Sequence, residues 1–362
     1  MVDLHKGFEG FEKLVPEKGK TPDEPMALSR EGEERPTLHP GGMATSEEFY
    51  NTALAAVKDI FDKVRAGLEK DIDPRAFLKV ASDMVEKMSG GMERDDLVKL
   101  VFSNDDFAEN YLYTHSVNVC LICARIGLEM NYSRDLMKDL VAASLLHDVG
   151  MMKVSLGVWN KGGRLSEKEY GEVKKHSLYG EEITRALSGV GDITPVIVGQ
   201  HQERCDGSGY PKGLTKDDIH YLARLVSLAD SYEALTHTRK WRARYQPDKS
   251  IQKMLDEESS GYDPHFLKAI LRHISIFPVG SWVKISTGDV GEVIKTNKDT
   301  PMRPVIRVTY DRNQKRLPGP RLIDLSKQLL IHVEKCVETS EPSAGGMTMG
   351  LPYADNGAGG NI

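Results

Sequence analysis

The chain has 362 residues, 40% of them apolar and 28% charged, with a formal net charge of −6. At about 100–200 residues per domain this allows two or three domains, and the acidic balance gives duplex nucleic acid no support as the main partner. Four cysteines are too few for a disulfide scaffold; no apolar run approaches the roughly 18 residues of a membrane span, and MVDLHKGFEG lacks a signal pattern, so a cytoplasmic protein is expected.

Residues 1–45 carry Pro16, Pro22, Pro25, Pro36 and Pro40 among Gly and Glu, a composition that reads as an unstructured leader. Thr45 and Glu48 then make a capping box, and Phe49, Ala53, Leu54, Val57, Ile60, Phe61, Val64 and Leu68 recur at helical spacing. The apolar face of this helix is also where a homodimer would form, although such faces usually pack inward. A second helix starts at Asp73–Pro74, carries Phe77, Leu78, Ala81, Met84, Val85 and Met88 on one face, and stops at Gly90–Gly91. These make an N-terminal helical region, 46–104.

From 105 to 275 the pattern stays helical, the extent expected of the main domain. Cys120 and Cys123 form a CxxC inside the apolar VNVCLICARIG, which reads as two core thiols rather than a redox or zinc pair. The period changes after Phe277–Pro278–Val279–Gly280: SWVKIS, VGEVIKT and PVIRVTY alternate apolar with polar residues and predict short antiparallel strands in a small β-rich extension, 276–336. A Gly-rich tail, 337–362, has nothing to bury. The expected fold is mainly α, a helical bundle with a small antiparallel β-appendage at its C-terminal end. Residues 1–50 hold 11 acidic against 6 basic residues and 337–362 hold 3 acidic and none basic, which leaves 51–336 at +2. The acidity belongs to the ends, and the body suits an anionic substrate.

Several ionisable residues stand where an apolar helix should not carry them. His147 and Asp148 close LVAASLLHDVG, His115 lies in THSVNVCLICA, His176 in VKKHSLYGEEI, His201 follows ITPVIVGQ, and Asp230 closes ARLVSLAD. Burying such groups is costly unless something compensates, and a divalent metal does so with imidazole and carboxylate ligands. Their separations suit one ligand per helix in a bundle. Four histidines and two aspartates can serve two metals if one aspartate bridges them. For His5, His39, His220, His237, His265, His273 and His332 a structural role is expected.

The series His115, His147–Asp148, Asp230 resembles the HD superfamily of metal-dependent phosphohydrolases, and QHQERCDGSGYP at 200–211 resembles the signature loop of its HD-GYP branch. The loop WNKGGRLSEKE, His176 with Gly180, and ADSYEALTHTRKWR extend the likeness from about 46 to 335, so an HD-type bundle is implied. The resemblance implies a phosphodiesterase that opens cyclic di-GMP to linear pGpG or on to GMP by attack of a metal-bridging hydroxide. His115, His147, Asp148 and Asp230 would hold one ion and Asp148, His176 and His201 the second; His147 and Asp148 are then the catalytic pair, and the ions are two, iron or manganese. Arg239 and Arg242 match a phosphate-contacting basic pair, arginine's planar fork suiting phosphate, and with Arg204 and Tyr210 they are the expected substrate contacts. Asp206–Gly207–Ser208–Gly209 suits a tight turn with positive φ, and in the family this loop is a surface for diguanylate cyclase (GGDEF) domains.

Three positions depart from the family pattern. Tyr111 stands where trinuclear members have glutamate, Gln202 follows His201 in place of a second histidine, and Met151 replaces the lysine of HDxGK. A third metal is therefore not expected. The same departures motivate a second reading, a catalytically weak module that binds cyclic di-GMP or docks a GGDEF partner; a third is hydrolysis of another nucleotide such as cyclic GMP-AMP.

Overall fold

The computed structural model describes residues 46–89, 101, 111–159, 161, 163–238, 244–256, 259–297 and 299–337. The chain divides between Ile276 and Phe277 into two compact units. The first is helical. Helix α1 (Ser46–Arg65) buries Phe49, Tyr50, Ala53, Val57, Ile60, Phe61 and Val64. The predicted capping residue Thr45 lies outside the described residues. Leu68, expected on the same face, is 47% exposed, because the helix stops before it. Gly67 takes φ +72°, its N–H bonds Val64 O at 3.1 Å and that of Leu68 bonds Lys63 O at 2.8 Å. This pair of bonds closes a helix on a left-handed residue, and glycine adopts it without a Cβ clash.

Helix α2 (Pro74–Ser89) buries Phe77, Ala81, Met84, Val85 and Met88 as its spacing predicts, with Leu78 half-buried. Helix α3 (Tyr111–Glu129) is the centre of the unit, buried almost throughout from Leu112 to Gly127, and α1, α4 (Arg134–Leu146) and α9 (Tyr221–Thr236) pack around it. Between α4 and α9 come a 3-10 turn at Val149–Lys153, α5 (Leu156–Trp159), α6 (Glu167–Lys174), α7 (His176–Ala186) and α8 (Thr194–Gln200); α10 (Pro247–Asp256) and α11 (Pro264–His273) follow. Tyr50 on α1 donates to Asn118 Oδ1 at 2.9 Å, and Phe61 meets Tyr113 edge-on. The apolar face of α1 is thus occupied within the chain. Cys120 and Cys123 are free and fully buried, and burial pushes the Cys120 thiol up to about 12, so it stays protonated and unreactive.

The second unit is a five-stranded antiparallel sheet in the order β4-β3-β2-β1-β5. Strands β1 (Trp282–Ile285), β2 (Val290–Lys295) and β3 (Val305–Tyr310) are the three predicted segments, with Val283, Ile285, Val293, Ile306 and Val308 buried. Strands β4 (Arg316–Asp324) and β5 (Val333–Cys336) are additions to the sequence reading. The first reads RLPGPRLID, with two prolines and a glycine that an edge strand tolerates and a central one would not, and most of it is exposed, so no alternation marks it. The second has only four residues.

Candidate metal centre

Five segments deliver one or two ionisable groups each to a single buried spot. His115 sits in the first turns of α3, and His147 caps the C-terminal end of α4, whose Leu140, Val141, Ala143, Leu145 and Leu146 carry it into the core. Asp148 begins the 3-10 turn, His176 opens α7, His201 caps α8 and Asp230 lies in α9. His147 and His201 are 0% exposed, His115 and His176 2%. All six predicted ligands meet, in overlapping triplets whose ligand atoms lie within 4.8 Å of one another: His115, His147, Asp148; His147, His201, Asp230; Asp148, His176, His201.

The approach of α7 to the 3-10 turn depends on Gly150. A Cβ there would stand 1.9 Å from His176 O and 2.6 Å from Gly180 N, so any side chain would force His176 away from Asp148. The Gly180 that the sequence reading placed beside His176 is the other half of this contact.

The imidazoles are held by their outer nitrogens. His147 Nδ1 lies 2.8 Å from Ser144 O, His176 Nδ1 2.7 Å from Val173 O, and His201 Nδ1 2.7 Å from Val198 O. A carbonyl only accepts, so each Nδ1 carries the proton and each Nε2 lone pair faces the centre, the tautomer a metal requires. His115 differs: its Nδ1 is 2.5 Å from Glu233 Oε2 and its Nε2 3.1 Å from Asp230 Oδ1. Asp148 stands between the two histidine pairs. Its Oδ2 is 3.7 Å from His115 Nε2 and 3.6 Å from His147 Nε2, and its Oδ1 is 3.4 Å from His176 Nε2 and 3.8 Å from His201 Nε2.

Burial pulls the His115 pKa down, but the charges and hydrogen bonds of Glu233 and Asp230 outweigh it and raise it well above the ordinary 6.5. In His201 burial and the neighbouring His147 and His176 act together and lower it to about 3. Burial works against ionisation of Asp148, Asp230 and Glu233 as well, yet the surrounding histidines keep all three below the usual carboxylate range. The chemistry of this donor set fits a cation. His176 and His201 present Nε2 to Nε2 at 3.1 Å, and His115 and His147 do so at 3.2 Å. With both Nδ1 atoms on carbonyls, the His176 and His201 lone pairs face each other and would be stabilised by a cation; two nitrogens on one ion at about 2.1 Å and right angles lie about 3.0 Å apart.

A second layer escaped the sequence reading. Glu233, buried one turn after Asp230, fixes His115 and accepts from Asn118 Nδ2 at 3.1 Å. Both are polar residues inside apolar helical runs, the signal that marked the histidines. Gln202 donates through Nε2 to Asp230 Oδ2 at 2.9 Å, so it orients a candidate ligand. Tyr111 stacks on the His115 ring, 5.6 Å between centroids.

The signature loop is tied down from inside. Glu203 accepts from the backbone of Lys212 at 2.8 Å and of Leu214 at 2.9 Å, and Gly207 takes φ +79° as its turn requires. Tyr210 sets its ring edge-on to His176 at 6.1 Å, and burial raises its phenol well above 10. Arg204, expected at the substrate, is bonded to Ser227 and Ser231 of α9 and lies over the Tyr262 ring, which braces the loop against that helix. Arg239 and Arg242 lie outside the described residues. Of the histidines given structural roles, His220 caps α9 and His237 bonds Val101 O at 2.7 Å.

Residues 97–266 match the HD domain family, and residues 282–344 match the KOW domain associated with HD domain. The chain is 29% identical over 294 residues to the cyclic di-GMP phosphodiesterase PA4108 of Pseudomonas aeruginosa, covering 80% of this chain and 69% of that relative. It is 31% identical over 173 residues to the 3'3'-cGAMP-specific phosphodiesterase 3 of Vibrio cholerae, where it spans 48% of this chain but 37% of the relative. Among solved structures it is similar to Bd1817, an HDG"Y"P protein from Bdellovibrio bacteriovorus, with TM-score 0.51 and 18% identity over 62% of this chain and 69% of that one, a likeness of fold.

Proposed function

Because residues 97–266 form an HD domain of the HD-GYP family, we propose that this chain hydrolyses a cyclic dinucleotide, cyclic di-GMP foremost, at a two-metal centre bridged by Asp148. One observation carries the reading: the Asp148 carboxylate turns one oxygen toward His115 and His147 and the other toward His176 and His201. His115, His147, Asp148 and Asp230 would hold one ion, and Asp148, His176 and His201 the other. The mixed nitrogen and oxygen set suits iron or manganese. Tyr111 is stacked on the His115 ring and Gln202 Nε2 donates to Asp230, so both lie beside the proposed centre.

Two divalent ions would supply Lewis acidity at the phosphoryl oxygens and a water acidic enough to deprotonate near neutrality. The chain's own residues do the rest. Carbonyls on three Nδ1 atoms keep His147, His176 and His201 aimed inward, and Asp148 sets the spacing between the two halves. Glu233 at Nδ1 and Asp230 at Nε2 hold the His115 ring in place and favour its protonated form. Tyr210 keeps its phenol proton beside His176, a donor for a substrate oxygen. Arg239 and Arg242 are retained as phosphate contacts.

The weak-module reading is not favoured: all six ligands meet, and the curated relatives are named as hydrolases. A GGDEF partner would meet the exposed Asp206 and Ser208 of the signature loop. The deciding experiment is metal analysis of the purified chain with a product assay on cyclic di-GMP and cyclic GMP-AMP. About two equivalents and a linear or mononucleotide product are expected, with Asp148→Asn lowering both metal content and turnover, the latter by more than about a hundredfold. Metal-loaded protein that binds the dinucleotide and leaves it intact would overturn the reading.

A further inference from the structure

The family's HDxGK lysine is Met151 here, and the nearby Lys153 is bound to Glu69. The cationic side of the substrate must therefore come from elsewhere. Lys174, the last residue of α6, places Nζ 4.7 Å from the Tyr170 ring centroid and 5.3 Å from that of Tyr210. Tyr210 in turn sets its ring against His176 of the metal centre. The ammonium is thus held between two π-faces, with one of the two rings separating it from the cluster.

Its neighbours are committed. Lys161 pairs with Glu169 at 2.7 Å and Lys175 with Glu172 at 2.7 Å. Lys174 has no ion pair among the described residues, and its contacts through Nζ are the two rings. Tyrosine faces attract a cation and restrict its motion without neutralising it, so the full charge remains for an anion. Ser166 fixes the helix that carries it through a reciprocal capping box with Glu169.

We infer that Lys174, cradled by Tyr170 and Tyr210, binds the phosphate of the cyclic dinucleotide that is not being hydrolysed. The inference rests on the proposed function and assigns it a specificity residue. The metal centre takes one phosphodiester; a cyclic dinucleotide carries a second, and a cation beyond Tyr210 distinguishes such a substrate from one with a single phosphate. No bond is made or broken by Lys174, and its contribution is charge-assisted hydrogen bonding.

The test compares cyclic di-GMP with bis(p-nitrophenyl) phosphate, which has one phosphodiester, using the manganese-loaded full chain. Lys174→Gln is expected to raise KM for cyclic di-GMP about tenfold with a smaller effect on kcat, and to lower the ratio of kcat/KM for the two substrates by a similar factor. Lys174→Arg should recover most of the loss, metal content should stay at the wild-type value, and Lys168→Gln on the exposed side of α6 should leave the ratio unmoved. Equal losses on both substrates, or no change in KM, would overturn the inference while leaving the function intact. Wild-type protein that cleaves bis(p-nitrophenyl) phosphate but no cyclic dinucleotide would overturn the function, and the second-phosphate role with it.

Discussion

At the residue scale, the candidate metal centre is shaped by what stands behind each of its histidines and aspartates. Glu233 is the clearest case, a buried carboxylate touching His115 at 2.5 Å. Its replacement in Glu233→Gln keeps the shape and removes the charge. Metal affinity should fall about 10–100-fold, read by competition with a chelator, and turnover should recover at saturating metal. Gln202→Ala removes only a hydrogen bond to Asp230, so a loss at the lower end of that range is expected; an unchanged affinity in both variants would show that the second layer does not tune the site.

At the element scale, the centre depends on how closely the 3-10 turn approaches α7. Gly150→Ala places a methyl against His176 O, a backbone atom that cannot rotate away. A loss of about 3 kcal/mol is expected from such overpacking, seen as a lower Tm together with weaker metal binding. Ser166→Ala should cost about 1 kcal/mol through the cap of α6; it reports on the helix bearing Lys174 and should leave metal content alone. The amphipathic pattern of α1 gives its buried face, but the spacing does not show that the helix ends at Arg65, because Leu68 still fits the period.

At the scale of the whole molecule, a metal ion and protons would compete for the same side chains. The folded pKa of His115 lies above 6.5, so its stabilising contribution is present below 6.5 and is lost as pH rises through that folded value. His201 has the opposite sign: folded at about 3, it lets the unfolded chain take the proton first, and stability is lost as pH falls from about 6.5 toward 3. Depressed carboxyls at Asp148, Asp230 and Glu233 add to the acid loss. Metal-free protein should therefore be most stable near pH 6.5, measured by denaturant midpoints in chelator, and a monotonic profile would contradict this. Manganese at about 100 times its Kd should add about 2.7 kcal/mol, reversed by chelation and weakened at low pH, where the ligands must lose protons to bind.

The sequence by itself determined the six ionisable residues that converge, the helical main unit and three of the five strands. Buried ionisable residues in apolar helices, and strict alternation in strands, are rules one segment can express alone. Only the tertiary structure decided the rest. Strands β4 and β5 exist through pairing with β3 and β1, a non-local gain that overrides Pro318 and Pro320. Arg204 turned to α9, and Glu233 to His115, because residues 27 and 118 positions apart came into contact. The histidines could be found in the sequence, but the division of Asp148 between them is a matter of distances, and distances between helices are set by packing.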